Sequence, residues 1–270
     1  MTITPSETVL KYKPWSVSKA NTAKQCPKKF WYEYIDKTKK KVSNSDAAVG
    51  SAVHKLLEVL MTGRPWKLAM AAVLDEGKLT TPEIERVMEL QCNTESFMRR
   101  FEAVQKKYEI TKVIKEQRLS VTLEGQPIEF FNNNGYMRGV VDLAFLRAIP
   151  QAIIIDHKTG KPKDLKYYQD TFDTYALLLK AAYPHLQLAR CGIHFVASEE
   201  ITFIPDADIS DISVLMDKVT LFLNNATQNL TDFTIEKKSR LCEWCDYRVY
   251  CPTYIGSNSD NGNQESSRQT

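Results

Sequence analysis

Apolar positions recur along this chain with two periods, and the periods divide it. Over residues 47–61, Val49, Val53, Leu56, Leu57 and Leu60 fall three and four apart, the stripe of an amphipathic helix. Similar patterning predicts helices at 66–75, 82–108, 165–183 and 208–229, the second of them heavily charged. Ser16 or Ser18 caps an earlier helix running to about Tyr34, which carries Cys26-Pro27 and the aromatic group Phe30, Trp31, Tyr32 and Tyr34. Residues 1–14 read as an irregular lead-in broken by Pro5 and Pro14. Alternating segments at 112–123 and 136–146 predict strands, joined through Glu124-Gly125 and Asn132-Asn133-Asn134-Gly135. Residues 188–196 and 200–204 predict two more. Between the pairs, Ile153-Ile154-Ile155 is a β-branched run suited to a strand buried on both faces, and Thr159-Gly160 ends it. Helices, then strands, a helix, strands and a helix suggest an α/β core with a mixed sheet behind an N-terminal helical region.

Composition adds little to that picture except at the ends. With 270 residues, 43% of them hydrophobic, the chain can bury one large core, taken here as residues 1–255. From about residue 256 the sequence is Ser, Asn, Gly, Gln and charged side chains with nothing to bury, and reads as a disordered tail. A net charge of +3 does not by itself indicate nucleic acid. The lysines are clustered, however. Lys24, Lys28, Lys29, Lys37, Lys39, Lys40 and Lys41 crowd the first helix and its exit, and Lys158, Lys161, Lys163 and Lys166 follow the central strand. Either cluster can hold a phosphate backbone or form a solvated face. With no signal peptide, long apolar run or lipidation motif, the expectation is a cytoplasmic protein with no membrane partner. In that compartment six cysteines suit metal ligation or free thiols better than disulfides.

The candidate chemistry gathers at the central strand. Side chains alternate across a strand, so Asp156 and Lys158 point the same way, about 7 Å apart. A carboxylate at the end of a buried strand needs compensation, from Lys158 or from a divalent metal. Asp142 lies in Gly139-Val140-Val141-Asp142-Leu143-Ala144-Phe145, where Val141, Leu143 and Phe145 are expected on one face and Val140, Asp142 and Ala144 on the other. A short loop at 147–151 makes the two strands neighbours, so their ends can bring Asp142 and Asp156 together. Two carboxylates with a nearby lysine suit Mg²⁺ or Mn²⁺ and phosphate chemistry. His54 stands one helical turn after Gly50, which leaves room for a ligand; Glu116, near the start of a strand, is a weaker fourth candidate. Near the C-terminus, Cys242-x2-Cys245-x5-Cys251 is one thiolate short of a four-ligand site, and Cys26, 216 positions before Cys242, is the natural fourth. Four thiolates suit zinc or an iron–sulfur cluster, and spacing does not decide between them. Cys92 and Cys191 read as ordinary small apolar residues.

These motifs, in this order, resemble the RecB-like branch of the PD-(D/E)XK nucleases, in the group that carries an iron–sulfur cluster. That group includes CRISPR-associated single-strand exonucleases, nuclease domains of bacterial helicase–nucleases and related phage exonucleases. The likeness runs from Ser16 to Pro252. It rests on the Ser-rich entry to a Cys-Pro helix, Gly50-x-x-x-His54, Gly139-x-x-Asp142, Asp156-His157-Lys158-Thr159-Gly160 and the three-cysteine cluster. It implies a restriction-endonuclease-like core with a central mixed sheet and a C-terminal cysteine-rich cluster segment. The implied activity is Mg²⁺- or Mn²⁺-dependent exonuclease hydrolysis of phosphodiester bonds in single-stranded DNA or at DNA ends, in recombination, replication, repair or CRISPR adaptation. It assigns metal binding to His54, Asp142, Asp156 and the carbonyl of His157, and the positioning or activation of water to Lys158. It assigns a structural [4Fe–4S] cluster to Cys26, Cys242, Cys245 and Cys251. The family's Gln-x-x-x-Tyr helix motif is altered, since Thr171 precedes Tyr175 by four and the nearest glutamine is Gln169. Gln169 and Tyr175, with Glu116, are the expected DNA-contacting residues, and Trp31, Tyr167 and Tyr168 are candidate stacking surfaces for a single strand. Recombination or CRISPR proteins would be partners, and a ring-shaped homo-oligomer would suit an enzyme that tracks along DNA. The competing reading is a nucleic-acid-binding module with structural zinc or a cluster and no cleavage. Intact His54, Asp142, Asp156 and Lys158 argue against it.

Overall fold

The computed structural model describes residues 2–42, 44–230, 233–234 and 238–259. Its strands form one six-stranded mixed sheet. They are β1 (Ile110–Val121), β2 (Met137–Arg147), β3 (Gln151–Lys158), β4 (Leu188–Phe195), β5 (Glu200–Phe203) and β6 (Ala207–Asp208). The order is β1-β2-β3-β4-β5, with β6 also paired to β4; among these strands of the described residues, β3 and β4 run parallel and the other pairs antiparallel. The β3–β4 crossover contains a helix, Gln169–Ala182, as a parallel pair requires. β3 is buried along its length until Lys158, as its isoleucine run predicts.

Ten α-helices surround the sheet among the described residues: α1 (Glu7–Lys11), α2 (Val17–Gln25), α3 (Pro27–Phe30), α4 (Ser45–Leu60), α5 (Trp66–Leu74), α6 (Thr81–Met88), α7 (Gln91–Lys107), α8 (Gln169–Ala182), α9 (Ile212–Thr227) and α10 (Pro252–Ser259). One face of the sheet packs Ile154, Ala152 and Ile193 against α2, α8 and α9 through Ala20, Phe172, Leu179 and Leu223. The other packs Leu143, Phe145, Ile153 and Ile155 against α4, α5 and α7 through Val53, Leu57, Met70, Phe97 and Phe101. Among the described residues no helix is long and apolar enough to cross a membrane.

Several boundaries differ from the sequence reading, each for a local reason. The lead-in contains α1, whose Val9 N–H is capped by Ser6. The first long helix breaks at Cys26, because Pro27 lacks the N–H that would continue α2. A π-helical turn, Trp31–Ile35, follows α3. The 82–108 helix is two, with Glu83 closing a capping box on Thr80 at the start of α6 and a turn at Glu89-Leu90 before α7. Leu165–Tyr168 is a 3-10 turn before α8. Ala207 and Asp208 pair with β4, and α9 begins only after Asp211 caps it. At the C-terminus α10 runs to Ser259; residues 260–270 of the expected tail lie outside the described residues.

The sheet also changes phase. Val141 packs on the α8 side with Ala144 and Leu146, whereas Leu143 and Phe145 pack on the α4 side. Val141 therefore does not share a face with Leu143 and Phe145, as strict alternation predicts. β1 slips at the matching place: Val113 packs on the α4 side, Ile114 on the α8 side, and then Leu119 and Val121 on the α8 side again. The register across the slip is unbroken, Lys115 pairing with Leu143 and Gln117 with Val141. Between those pairs lies Glu116 with φ of 43°, a left-handed conformation rare for a non-glycine residue. This is where the site forms.

Candidate active site

The slip turns Glu116 and Asp142 toward α4, where His54 waits. Asn44 caps α4, and the apolar stripe of that helix is driven into the core, leaving His54 at its edge. The ligand atoms of His54, Glu116 and Asp142 all lie within 4.8 Å of one another. His54 Nδ1 is 3.4 Å from Glu116 Oε1 and 3.5 Å from Asp142 Oδ2. Its Nε2 is 3.0 Å from the carbonyl oxygen of His157. A carbonyl only accepts, so Nε2 carries a hydrogen and Nδ1 is the nitrogen facing the carboxylates. Burial works to lower the pKa of His54, but the hydrogen bond to Glu116 and the charges of Asp142 and Glu116 outweigh it and raise the pKa.

The β2–β3 ladder ends at Leu143 and Ile155. Beyond it, Asp142 Oδ2 accepts the backbone N–H of His157 at 2.8 Å, so a side chain takes over from the ladder as the strands part. Asp156 stands in that split, buried to 1% exposure. The Tyr175 hydroxyl donates to its Oδ1 at 3.2 Å, and Lys158 Nζ lies 2.6 Å from its Oδ2. Burial, then the charge of Asp156, raises the pKa of Asp142 to about 7. Two buried carboxylates that crowd each other in this way are relieved by a cation, and hard oxygen donors with one imidazole fit a divalent one.

The expected residues thus sort into two groups. His54 and Asp142 meet as anticipated, joined by Glu116. Asp156 sits beside them, engaged by Lys158 and Tyr175. The carbonyl of His157 accepts from His54, and its second lone pair leaves it able to bind a metal as well. The side chain of His157 points away from the site, with Nδ1 2.9 Å from His194 Nδ1 and its ring 5.0 Å from that of Phe97. Tyr175 is 8% exposed and holds Asp156, whereas Gln169 Nε2 donates to Asp173 Oδ1 at 3.2 Å on the outside of α8. An open groove of about 1410 Å³ surrounds the site and is lined by Gly50, Lys158, Tyr167, Tyr168, Arg118 and Arg138 among others. Of the lysine clusters, only Lys158 lines it. Trp31 packs on Phe233 instead. Arg118, Phe130 and Arg138 were not anticipated. Their signal was available: Glu116-x-Arg118 and Arg138-x-Val140-x-Asp142 share the period of the site carboxylates.

Cys26, Cys242, Cys245 and Cys251 line a separate small cavity, and all four are free thiols. The N–H of Lys29 donates to Cys26 Sγ at 3.4 Å and that of Ser239 to Cys242 Sγ at 3.3 Å. Burial pushes the Cys26 and Cys245 thiols up. Lys28, Lys29 and Arg248 line the same cavity, which suits a group carrying thiolate charge.

No curated protein matches this chain. The crystal structure of SSO0001 is similar at 13% identity and a TM-score of 0.34, over 86% of this chain and 95% of that chain. The family model of the PD-(D/E)XK nuclease superfamily matches residues 14–252, and the chain belongs to that superfamily.

Proposed function

We propose that the protein is a metal-dependent DNA exonuclease of the RecB-like branch, acting on single strands or DNA ends, with residues 1–255 as its nuclease domain. The observation that carries the reading is the meeting of His54, Glu116 and Asp142 beside the Asp156–Lys158 pair in an open groove. Superfamily membership indicates a nuclease. His54, Glu116 and Asp142 would hold Mg²⁺ or Mn²⁺, with Asp156 completing the set. A bound cation supplies charge neutralisation at phosphate and a more acidic water. Burial works to lower the pKa of Lys158, but the charge of Asp156 and their hydrogen bond outweigh it and raise the pKa, so its ammonium stays charged where a phosphodiester would lie. Lys158 then orients the attacking water and stabilises developing negative charge. Tyr175 fixes the rotamer of Asp156.

The cysteine centre would hold a [4Fe–4S] cluster with a structural role. Four thiolates from the two ends of the chain, with Lys28, Lys29 and Arg248 beside them, suit that group, with zinc as the alternative.

The test is cleavage of single-stranded DNA labelled at one end and then at the other, with Mg²⁺, Mn²⁺ or chelator. Wild type is expected to release label only with metal, and Lys158→Ala to lose about 100-fold or more in rate while keeping its circular dichroism and melting curve. A Lys158→Ala protein that cuts at the wild-type rate overturns the assignment of Lys158. Wild type that cuts no single strand, duplex or circle overturns the nuclease reading.

A further inference from the structure

Beyond the carboxylates the groove continues along the outer half of the β1–β2 hairpin. Arg118, two positions past Glu116, and Arg138, four before Asp142, face into it. Neither forms an ion pair with a carboxylate among the described residues. Instead they lie over phenyl rings. The Arg118 guanidinium is 5.9 Å from the ring of Phe130 and 5.8 Å from that of Phe131, and Arg138 is 5.3 Å from Phe130. Arg138 Nη1 also donates to the Phe130 carbonyl at 3.4 Å, which ties the hairpin loop to the strand. Phe130 lines the groove, and its neighbour Phe131 is 72% exposed.

The exposed Phe131 ring, next to the groove-lining Phe130, contributes nothing to the core and offers a face to a ligand. The Arg118 guanidinium lies beside it at 5.8 Å. Two cations beside two phenyl rings, one of them largely exposed, match a nucleotide: phosphate on the guanidinium groups and base on the open face of the exposed ring.

We infer that Arg118, Arg138, Phe130 and Phe131 form a binding subsite for single-stranded DNA, in which Phe131 stacks on an unpaired base while the arginines hold its phosphates. This rests on the nuclease reading for the identity of the nucleic acid, and it explains why an unpaired strand would be chosen. A base within a duplex presents no free face to Phe131.

Binding measured apart from cleavage separates the two claims. Fluorescein-labelled single-stranded DNA and an oligonucleotide of equal length carrying an abasic run are titrated by anisotropy into Lys158→Ala protein, in chelator. Without substitution in the hairpin, the intact oligonucleotide should bind more tightly than the abasic one. Adding Phe131→Ala should weaken the intact oligonucleotide by about 5-fold or more, leave the abasic one unchanged and so erase the preference. Phe131→Trp should restore it. Arg118→Ala should weaken both oligonucleotides alike and reduce the slope of log affinity against log salt by about 1. Because Phe131 is exposed, its loss does not threaten the fold, and melting curves of all variants check this. If Phe131→Ala retains the full preference for intact over abasic DNA, the stacking subsite is wrong even though the enzyme cuts. If the preference depends on Phe131 but wild type cuts nothing, the subsite stands and the nuclease reading fails.

Discussion

Asp142 shows how far one residue's environment can be read from its neighbours. The sequence places an acid in an apolar strand, and the structure confirms the placement at 5% exposure. Its carboxyl titrates near 7, and the pKa of His54 is also raised. A metal needs the carboxylate and a neutral imidazole, so both protons must leave, and rising pH favours binding. Mn²⁺ affinity should therefore climb between about pH 6 and 8 with proton release visible by calorimetry in two buffers of different ionisation heat; a flat profile would remove both groups from the site. The same shifts act on the metal-free fold. The folded pKa of Asp142 exceeds its unfolded 3.8, and that of His54 exceeds 6.5. Through these two groups the folded state binds more protons, so their contribution to metal-free stability falls as pH rises from about 4 through neutrality, while His157 and His194, whose folded pKa values burial lowers, contribute in the opposite sense. Asp142→Asn should flatten that fall in thermal melts. Glu116 was less legible. As a strand residue it reads as solvated, and nothing in its neighbours announces a φ of 43°. Glu116→Gln keeps its shape and removes its charge, and should weaken Mn²⁺ by about 10-fold or more; unchanged affinity would return Glu116 to a structural role.

At the scale of elements, periodicity located each strand that approaches the site and each helix that packs on the sheet, because burial imposes the pattern directly. It missed the breaks. A helix that turns between Met88 and Gln91 continues the same apolar spacing on both sides, so α6 and α7 read as one. The phase slip in β1 and β2 is invisible for the same reason. It leaves the residue types in place and changes only the face they occupy. Glycines test the packing of these elements. At Gly192 on β4 a Cβ would meet the Phe203 ring at 2.6 Å and the Thr202 carbonyl at 3.0 Å. Gly192→Ala should cost about 1–3 kcal/mol in denaturant unfolding. Gly50 in α4 is the opposite case, since its Cβ would make only an ordinary 3.5 Å contact with Thr159 Oγ1. A mid-helix Gly→Ala change ordinarily stabilises by about 1 kcal/mol, and Gly50→Ala should do so. Because Gly50 lines the groove, the same change should reduce cleavage; if it stabilises without loss of rate, the groove does not need the space beside that helix.

The whole molecule is closed by its two ends. Tyr32 in the π-helical turn donates to the Tyr250 carbonyl at 2.9 Å, and its ring stacks on Tyr247 at 5.6 Å. The Val42 N–H donates to the Asp246 carbonyl at 2.9 Å, and Lys29 reaches the Asp246 carboxylate at 3.8 Å. The cysteine spacing suggested this closure, since three thiols near one end need a fourth from elsewhere, but the aromatic and backbone contacts that accompany it carry no such motif. Tyr247 and Cys251 are buried, but the segment exposes Leu241, Trp244 and Val249. A group bound by all four thiols would then carry much of the attachment. Burial keeps Cys26 and Cys245 protonated at neutral pH without it, so loading must expel protons and should be reversed by acid. Cys26→Ser and Cys251→Ser should each abolish absorbance near about 400 nm, if the group is an iron–sulfur cluster, and lower stability by about 4 kcal/mol or more, the range typical of a lost metal site. Cys92→Ser, on the exposed side of α7, should do neither. The proposed catalytic groups sit on other elements, so single-turnover cleavage by residual folded Cys26→Ser protein should remain near the wild-type rate at low temperature. Cleavage lost in step with absorbance while the fold persists would instead place the cysteine centre in the reaction itself.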